Sequence, residues 1–161
     1  MVYVSTKTYG HNIGLSTCFR QHKAHSHCKF LHGYALQVRL EFEADQLDET
    51  GWVVDFGSLK GFKGWLETTF DHKLLVAESD PHKAALCHLA KLHLADIVIV
   101  PATGCESFAK LIYECGVVWL VDNGYSPRVR LRSVEVCEHG ANSAIYNGES
   151  SNEESTSTER A

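Results

Sequence analysis

Seventeen residues from Cys18 to Tyr34, CFRQHKAHSHCKFLHGY, carry four of the chain's ten histidines and two of its six cysteines. Imidazole and thiolate bind borderline metals and move protons near neutral pH, so chemistry is expected here first. His22, His25, His27 and His32, together with Cys18 and Cys28, exceed the four donors that a tetrahedral zinc site needs. The spacing lacks the paired Cys-x-x-Cys and His-x-x-x-His of a small zinc finger, which argues against a structural metal. The bland alternative is a polar loop that happens to be rich in histidine. It suits His22 and His25 better than His27 and His32, because His32 abuts the start of a strand.

Cys28 stands between His27 and Lys29, whose positive charge would favour its thiolate. A lone cysteine is more often plain packing, so this signal is weak by itself. Asp71 beside His72 pairs a carboxylate with an imidazole that it can orient and charge for acid–base work. A histidine stabilised by a helix C-terminus explains the same pair without function. Glu106 falls in the first turn of a predicted helix, where an acid is favoured in any case. Glu138 ends an alternating strand on a side otherwise formed by Val134 and Val136. An inward carboxylate there needs a partner, and a ligand with several N–H donors is one. His82, Cys87, His88 and His93 spread around another predicted helix and read as a solvated face, whereas Cys115 and Cys137 read as core.

The elements that must position these side chains follow from periodicity. Met1 to Arg20 suits a strand bent at Gly10 or Gly14. Tyr34 to Glu43 alternates cleanly, with Leu36, Val38, Leu40 and Phe42 on one face. Gly57 to Phe70 carries a helical apolar stripe, and Gly61 and Gly64 suggest close packing on a sheet. Helices are expected again over Pro81–Leu94 and Cys105–Val121, with a short strand at Asp96–Val100 between them. Arg128–Glu138 and Ala141–Tyr146 form a closing hairpin. From residue 148 onward ESSNEESTSTERA offers no large apolar side chain and four Glu against one Arg, so 148–161 is expected to be a disordered acidic tail behind a single domain over 1–147. The order predicts an α+β domain, a four-stranded antiparallel sheet with two helices on one face. Its open edges invite closure with neighbouring copies.

A net charge of -5 without a basic stripe argues against nucleic acid as a partner, and no apolar run is long enough for a membrane helix. The opening MVYVSTKTYG has neither a basic start nor an apolar centre, so no secretory signal is expected. Reduced cysteines and a cytoplasmic location follow as the expectation.

Five segments in order resemble the 6-pyruvoyl-tetrahydropterin synthase and 6-carboxytetrahydropterin synthase family over roughly residues 3–148. CKFLHGY (28–34) resembles its Cys-x-x-x-His-Gly-His, and GWVVDFGSLK (51–60) its Gly-Trp-apolar-apolar-Asp-Phe-x-x-Leu-Lys. FDHKLL (70–75) is similar to Leu-Asp-His-x-x-Leu, PATGCESFAK (101–110) to Pro-Thr-x-Glu-x-x-Ala, and VEVCEHGANSAIY (134–146) to the closing strand pair with its Glu. The resemblance implies the tunnelling fold, in which two-layer subunits join into a barrel, commonly as a hexamer. It implies a pterin substrate, 7,8-dihydroneopterin triphosphate, and a lyase of the 6-carboxytetrahydropterin synthase type that feeds 7-deazaguanine and queuosine synthesis. A 6-pyruvoyl-tetrahydropterin synthase, or a metal-depleted pterin- or purine-binding homologue without lyase activity, is the alternative.

By the same resemblance Cys28 is the general base, and Asp71 with His72 is a proton relay donated across a subunit interface. Glu138 anchors the pterin ring and Glu106 lines the pocket. Zinc binds the side-chain hydroxyls as a Lewis acid. The family's zinc is held by three histidines. Here His32 matches one, Tyr34 stands where the second belongs, and the first-strand position falls at Phe19, or at Cys18 if the register slips by one. Cys18 and His27, with His22 and His25 nearby, are the candidate replacement ligands.

Overall fold

The structure is a computed structural model, and it describes residues 1–148. The expected acidic tail lies, apart from Gly148, outside the described residues. One mixed sheet of seven strands carries three helices. The α+β expectation holds, although the sheet is larger than four strands and not purely antiparallel. Its elements are β1 (Tyr3–Tyr9), β2 (Leu15–Phe19), β3 (His32–Ala44), α1 (Lys60–Phe70), β4 (Lys73–Ala77), α2 (Lys83–Lys91), β5 (Asp96–Val100), α3 (Cys105–Asp122), β6 (Val129–His139) and β7 (Asn142–Asn147).

The long strand β3 organises the sheet. Leu36, Val38, Leu40 and Phe42 are buried while the residues between them are half-buried, as period-2 alternation requires. β1 pairs with its Val38–Ala44 half and β2 with its His32–Leu36 half, both antiparallel. The predicted single bent strand is thus two strands, separated by a 3-10 turn at His11–Ile13. That turn closes at Gly14, whose φ of 80° favours glycine. β6 pairs along the other side of β3 and leads into β7.

β4 has no counterpart in the sequence reading. Leu74, Leu75, Val76 and Ala77 are all buried, because the strand runs parallel between β2 and β5 and is covered on both faces. Such strands read as a continuous apolar run without alternation. α2 is the crossover joining the parallel strands β4 and β5.

α1 buries Phe62, Leu66 and Phe70, and α3 buries Cys105, Phe108, Ala109, Ile112 and Leu120, in one shared core. Close approach of helix to sheet was expected at Gly61 and Gly64, but a Cβ at either would meet open space. The close approach is instead at Gly116 of α3, where a Cβ would lie 2.6 Å from Leu131 Cδ2 of β6. Among the described residues no helix is long and apolar enough to cross a membrane.

Candidate active site

Phe19 ends β2, and the chain then turns at Arg20 into the His-rich loop. The Arg20 guanidinium donates to both carboxylate oxygens of Asp80, at 2.8 and 3.2 Å, and to the Lys29 carbonyl at 3.1 Å. Its own carbonyl accepts from Thr103 Oγ1 at 2.7 Å. The Gln21 N–H donates to the Cys28 carbonyl at 2.9 Å, and Ser26 Oγ accepts from the Cys28 N–H at 3.3 Å. These bonds hold Cys28 half-buried in a 3-10 turn over His27–Lys29. Asp80 is almost fully buried. Burial would raise its carboxyl pKa, but the Arg20 bond, the His82 N–H and the nearby positive charge outweigh it and hold the value below normal.

His32 and Phe19 are register partners, and Tyr34 follows two residues along β3 on the same face. Their rings form a cluster of tilted and edge-to-face contacts. Phe19 lies 4.8 Å from His32 and 6.3 Å from Tyr34 between centroids, and His32 lies 5.7 Å from Tyr34. His139 of β6 adds a fourth ring, 5.9 Å from Tyr34, and Phe19 meets Phe108 of α3 edge-on at 5.1 Å. Gly33 permits this arrangement, because a Cβ there would run into the Thr17 carbonyl of β2.

Of the predicted site residues, Cys28 and Glu138 act electrostatically on Tyr34, and Glu138 and Glu106 act on Cys105. Burial, and then the charges of Glu138, Cys28 and Cys105, raise the Tyr34 phenol pKa. Burial, the carboxylates of Glu138 and Glu106, and a hydrogen bond to Glu138 push the Cys105 thiol up to about 12. Glu138 is the unpaired residue of a β-bulge, since the register passes from Cys137↔Ser143 to His139↔Asn142. A bulge re-aims the extra side chain, here toward Cys105 rather than along the ladder. Glu106 is exposed at the first turn of α3. Cys105 and His139 are neighbours of Tyr34 that the sequence reading did not place. For Cys105 the signal was present: it immediately precedes Glu106 in PATGCESFAK.

Asp71 and His72 form the expected pair, with His72 Nδ1 2.8 Å from Asp71 Oδ1. Asp71 also accepts from the Ser16 N–H at 3.2 Å, and the His72 N–H donates to the Ser16 carbonyl at 2.7 Å. His72 adopts a left-handed φ of 56°, and its side chain is 83% exposed. The pair is presented to solvent rather than folded into the domain. Ser16 precedes Phe19 by three residues, so the pair lies about 10 Å along β2 from the ring cluster. None of the described hydrogen bonds or ion pairs links it to Cys28, Glu106 or Glu138.

The donor set does not suit a zinc ion. Cys18 pairs with Gly33 and so points to the opposite face of the sheet from His32, and burial raises its thiol pKa. It is not a replacement ligand. His27 and His25 are exposed on the loop, and His22 faces Ser79 at 3.5 Å. Among the described residues no three His, Cys, Asp or Glu side chains gather around a point that could hold a metal ion.

A family model described as 6-pyruvoyl tetrahydropterin synthase matches residues 10–149. A 6-carboxy-5,6,7,8-tetrahydropterin synthase of Rickettsia bellii (strain RML369-C) is 41% identical over 54 residues, 33% of this chain and 39% of that protein. Its counterpart in Rickettsia typhi (strain ATCC VR-144 / Wilmington) is 37% identical over the same shares. The match therefore spans about two fifths of these curated relatives. Among solved structures, an uncharacterized protein of Wolinella succinogenes superposes with a TM-score of 0.75 at 22% identity, over 92% of this chain and 99% of that one. A Plasmodium vivax 6-pyruvoyltetrahydropterin synthase gives 0.67 at 15% identity, over 91% and 97%. The fold they share is the tunnelling fold.

Proposed function

The chain belongs to the 6-pyruvoyl tetrahydropterin synthase family, and from that premise we propose that it is a 6-carboxytetrahydropterin synthase-like lyase acting on 7,8-dihydroneopterin triphosphate. One observation carries this reading. Cys28, Glu106 and Glu138 lie on a loop, a helix start and a strand bulge, far apart in sequence, yet the charges of Cys28 and Glu138 act on Tyr34, and those of Glu138 and Glu106 act on Cys105. In this reading the Glu138 carboxylate accepts from the N–H groups of the pterin ring, which a carboxylate with two acceptor oxygens can take as a pair. Glu106 borders the same pocket. Cys28 withdraws a proton from the substrate's side chain, and the Asp71–His72 pair of a neighbouring copy carries protons at the side-chain oxygens. The exposure of His72 supports donation to a neighbour.

Assembly into a homo-oligomer, with a hexamer as the expected size, belongs to the same proposal. β1 pairs on one side only and exposes Val2, Tyr3 and Val4, an edge that a second copy would cover. All six cysteines are free, which suits the reducing cytoplasm and a 7-deazaguanine precursor pathway there.

Chromatography of untagged protein incubated with 7,8-dihydroneopterin triphosphate tests the reading, with 6-carboxytetrahydropterin as the expected product. Cys28→Ala removes turnover while light scattering shows the assembly intact; retained turnover means that Cys28 is not the base. A second reading, a pterin- or purine-binding homologue without lyase activity, is favoured by Phe19 and Tyr34 standing at two of the family's metal positions. Binding of the pterin without its consumption selects that reading.

A further inference from the structure

We propose that this chain's pterin site works without a metal: the rings of Phe19, His32 and Tyr34 fill the place where three imidazoles would converge, and the Tyr34 hydroxyl hydrogen-bonds the side-chain oxygens of the ligand. The inference rests on the pterin reading for its ligand, but not for its first half.

Phe19 has no donor atom, and at 4.8 Å from His32 its ring occupies the space beside the one matched imidazole. It is fully buried and wedged against Phe108, so it is a fixed part of the core and cannot swing aside. The His32 Nδ1 is engaged with the Phe30 carbonyl at 2.8 Å, so Nε2 is the one ring nitrogen it can offer a ligand. The surplus donors are not assembled for a metal: Cys18 lies on the other face, and among the described residues no three His, Cys, Asp or Glu side chains gather around one point. A zinc ion needs about four N, S or O ligands in a tetrahedral arrangement. One imidazole with a phenol two residues away is not such a set.

Tyr34 is the hydroxyl-bearing ring of the cluster. It lies between His32 and His139 and within electrostatic reach of Cys28 and Glu138, the residues proposed to handle the pterin's side chain and ring. A neutral phenol is both donor and acceptor, so it can hold a ligand hydroxyl in place where the family's metal would bind it. The proton stays on Tyr34 in this role, and no bond is made or broken.

Elemental analysis of untagged protein grown and purified with zinc present tests the first half. Less than about 0.1 transition metal per chain is expected, with the melting temperature and the affinity for 7,8-dihydroneopterin unchanged by EDTA. About one metal per chain, or loss of binding on chelation, overturns the proposal. The double variant Phe19→His with Tyr34→His aligns three imidazoles on one face, and it should take up about one zinc per chain and melt higher with zinc than without. Failure of this folded variant to bind zinc overturns the assignment of these two rings to the metal's place. Tyr34→Phe keeps the ring and is expected to weaken 7,8-dihydroneopterin binding about 3- to 10-fold, as the loss of one neutral hydrogen bond implies. Unchanged affinity overturns the contact with Tyr34. A metal-free parent that binds no 7,8-dihydroneopterin supports the metal-free site while refuting both the pterin reading and the Tyr34 contact, so the failures are distinct.

Discussion

Replacing Asp80 with Asn should loosen the loop that carries Cys28, because Asp80 is the buried anchor of Arg20. The Asp80 side chain is 1% exposed and that of Arg20 is 20% exposed. Removing one partner of a fully buried ion pair costs about 3–5 kcal/mol. Arg20 keeps some contact with water, and Asn keeps an oxygen for the His82 N–H that now bonds Asp80 at 2.8 Å, so roughly half of that cost is expected, about 1.5–2.5 kcal/mol. For a chain of this size the melting temperature should fall by about 3–10 °C. Because Arg20 also donates to the Lys29 carbonyl, alkylation of Cys28 followed by peptide mass spectrometry should speed up more than alkylation of the other cysteines. The pH dependence has a definite sign. The Asp80 carboxyl is held below its unfolded value of about 3.9, so its contribution is present above about pH 4 and is lost as pH falls through the folded value. Asn cannot titrate, and the gap between parent and variant should narrow on acidification. A fall of less than 1 °C at neutral pH, or a gap unchanged at pH 3 while both proteins remain folded, refutes the reasoning.

Glu138→Gln exchanges a charged acceptor for an amide that must also place an N–H, and it should weaken pterin binding by about 10- to 100-fold in a fluorescence titration. The same variant should speed alkylation of Cys105 at pH 8.5, since Glu138 helps to hold that thiol protonated; an unchanged rate separates Cys105 from Glu138. Tyr9 is 2% exposed, and among the described residues its hydroxyl has no hydrogen-bond partner. Tyr9→Phe removes that buried hydroxyl and should raise the melting temperature by about 2–6 °C, as relief of about 1–2 kcal/mol implies. Burial, with a smaller part from the charge of Glu67, pushes the Tyr9 phenol up to about 12, so the folded state loses stability between pH 10 and 12 as the unfolded phenol ionises first. Alkaline melting curves should show that loss reduced in Tyr9→Phe, and an equal loss in both proteins refutes it.

Legibility in the sequence followed burial on one face. β3 could be read because its alternation is enforced by a single core, with Leu36, Val38, Leu40 and Phe42 inside. β4 could not, because a strand buried on both sides has no period to detect, and KLLVA resembles the end of a helix as much as a strand. Gly61 and Gly64 suggested close packing from composition, but only the fold shows that Gly116 is the glycine against Leu131. The site divided in the same way. Cys28, Glu106, Glu138 and the Asp71–His72 pair could be named from local motifs, whereas the proximity of Cys105 and Tyr34 to Glu138 depends on a bulge in β6. A bulge leaves no residue-type signature in CEHG. Register also chooses between two neighbours: Cys18 and Phe19 were equally available in sequence, and the ladder turns Phe19 toward His32 and Cys18 away.

The ring cluster also shows what Phe19 does for the domain. A metal held between β2 and β3 would tie them by coordination. Here the same strands are joined by a ladder from Leu15↔Leu36 to Phe19↔His32, and by a ring that reaches the core through Phe108 and then Phe70, 5.6 Å farther on. Burying one phenyl side chain contributes about 1.5–3 kcal/mol, and it does so whether or not a metal is present. An imidazole in that position would put ring nitrogens against Phe108 with no partner, costing about 1–3 kcal/mol unless a metal took the lone pair. Phe19→His alone should therefore destabilise the chain even with zinc present, because Tyr34 still occupies the third position, and only the double variant should recover in zinc. Position 19 is thus bound to the core by its packing and to the site by its register, and a change there alters both together.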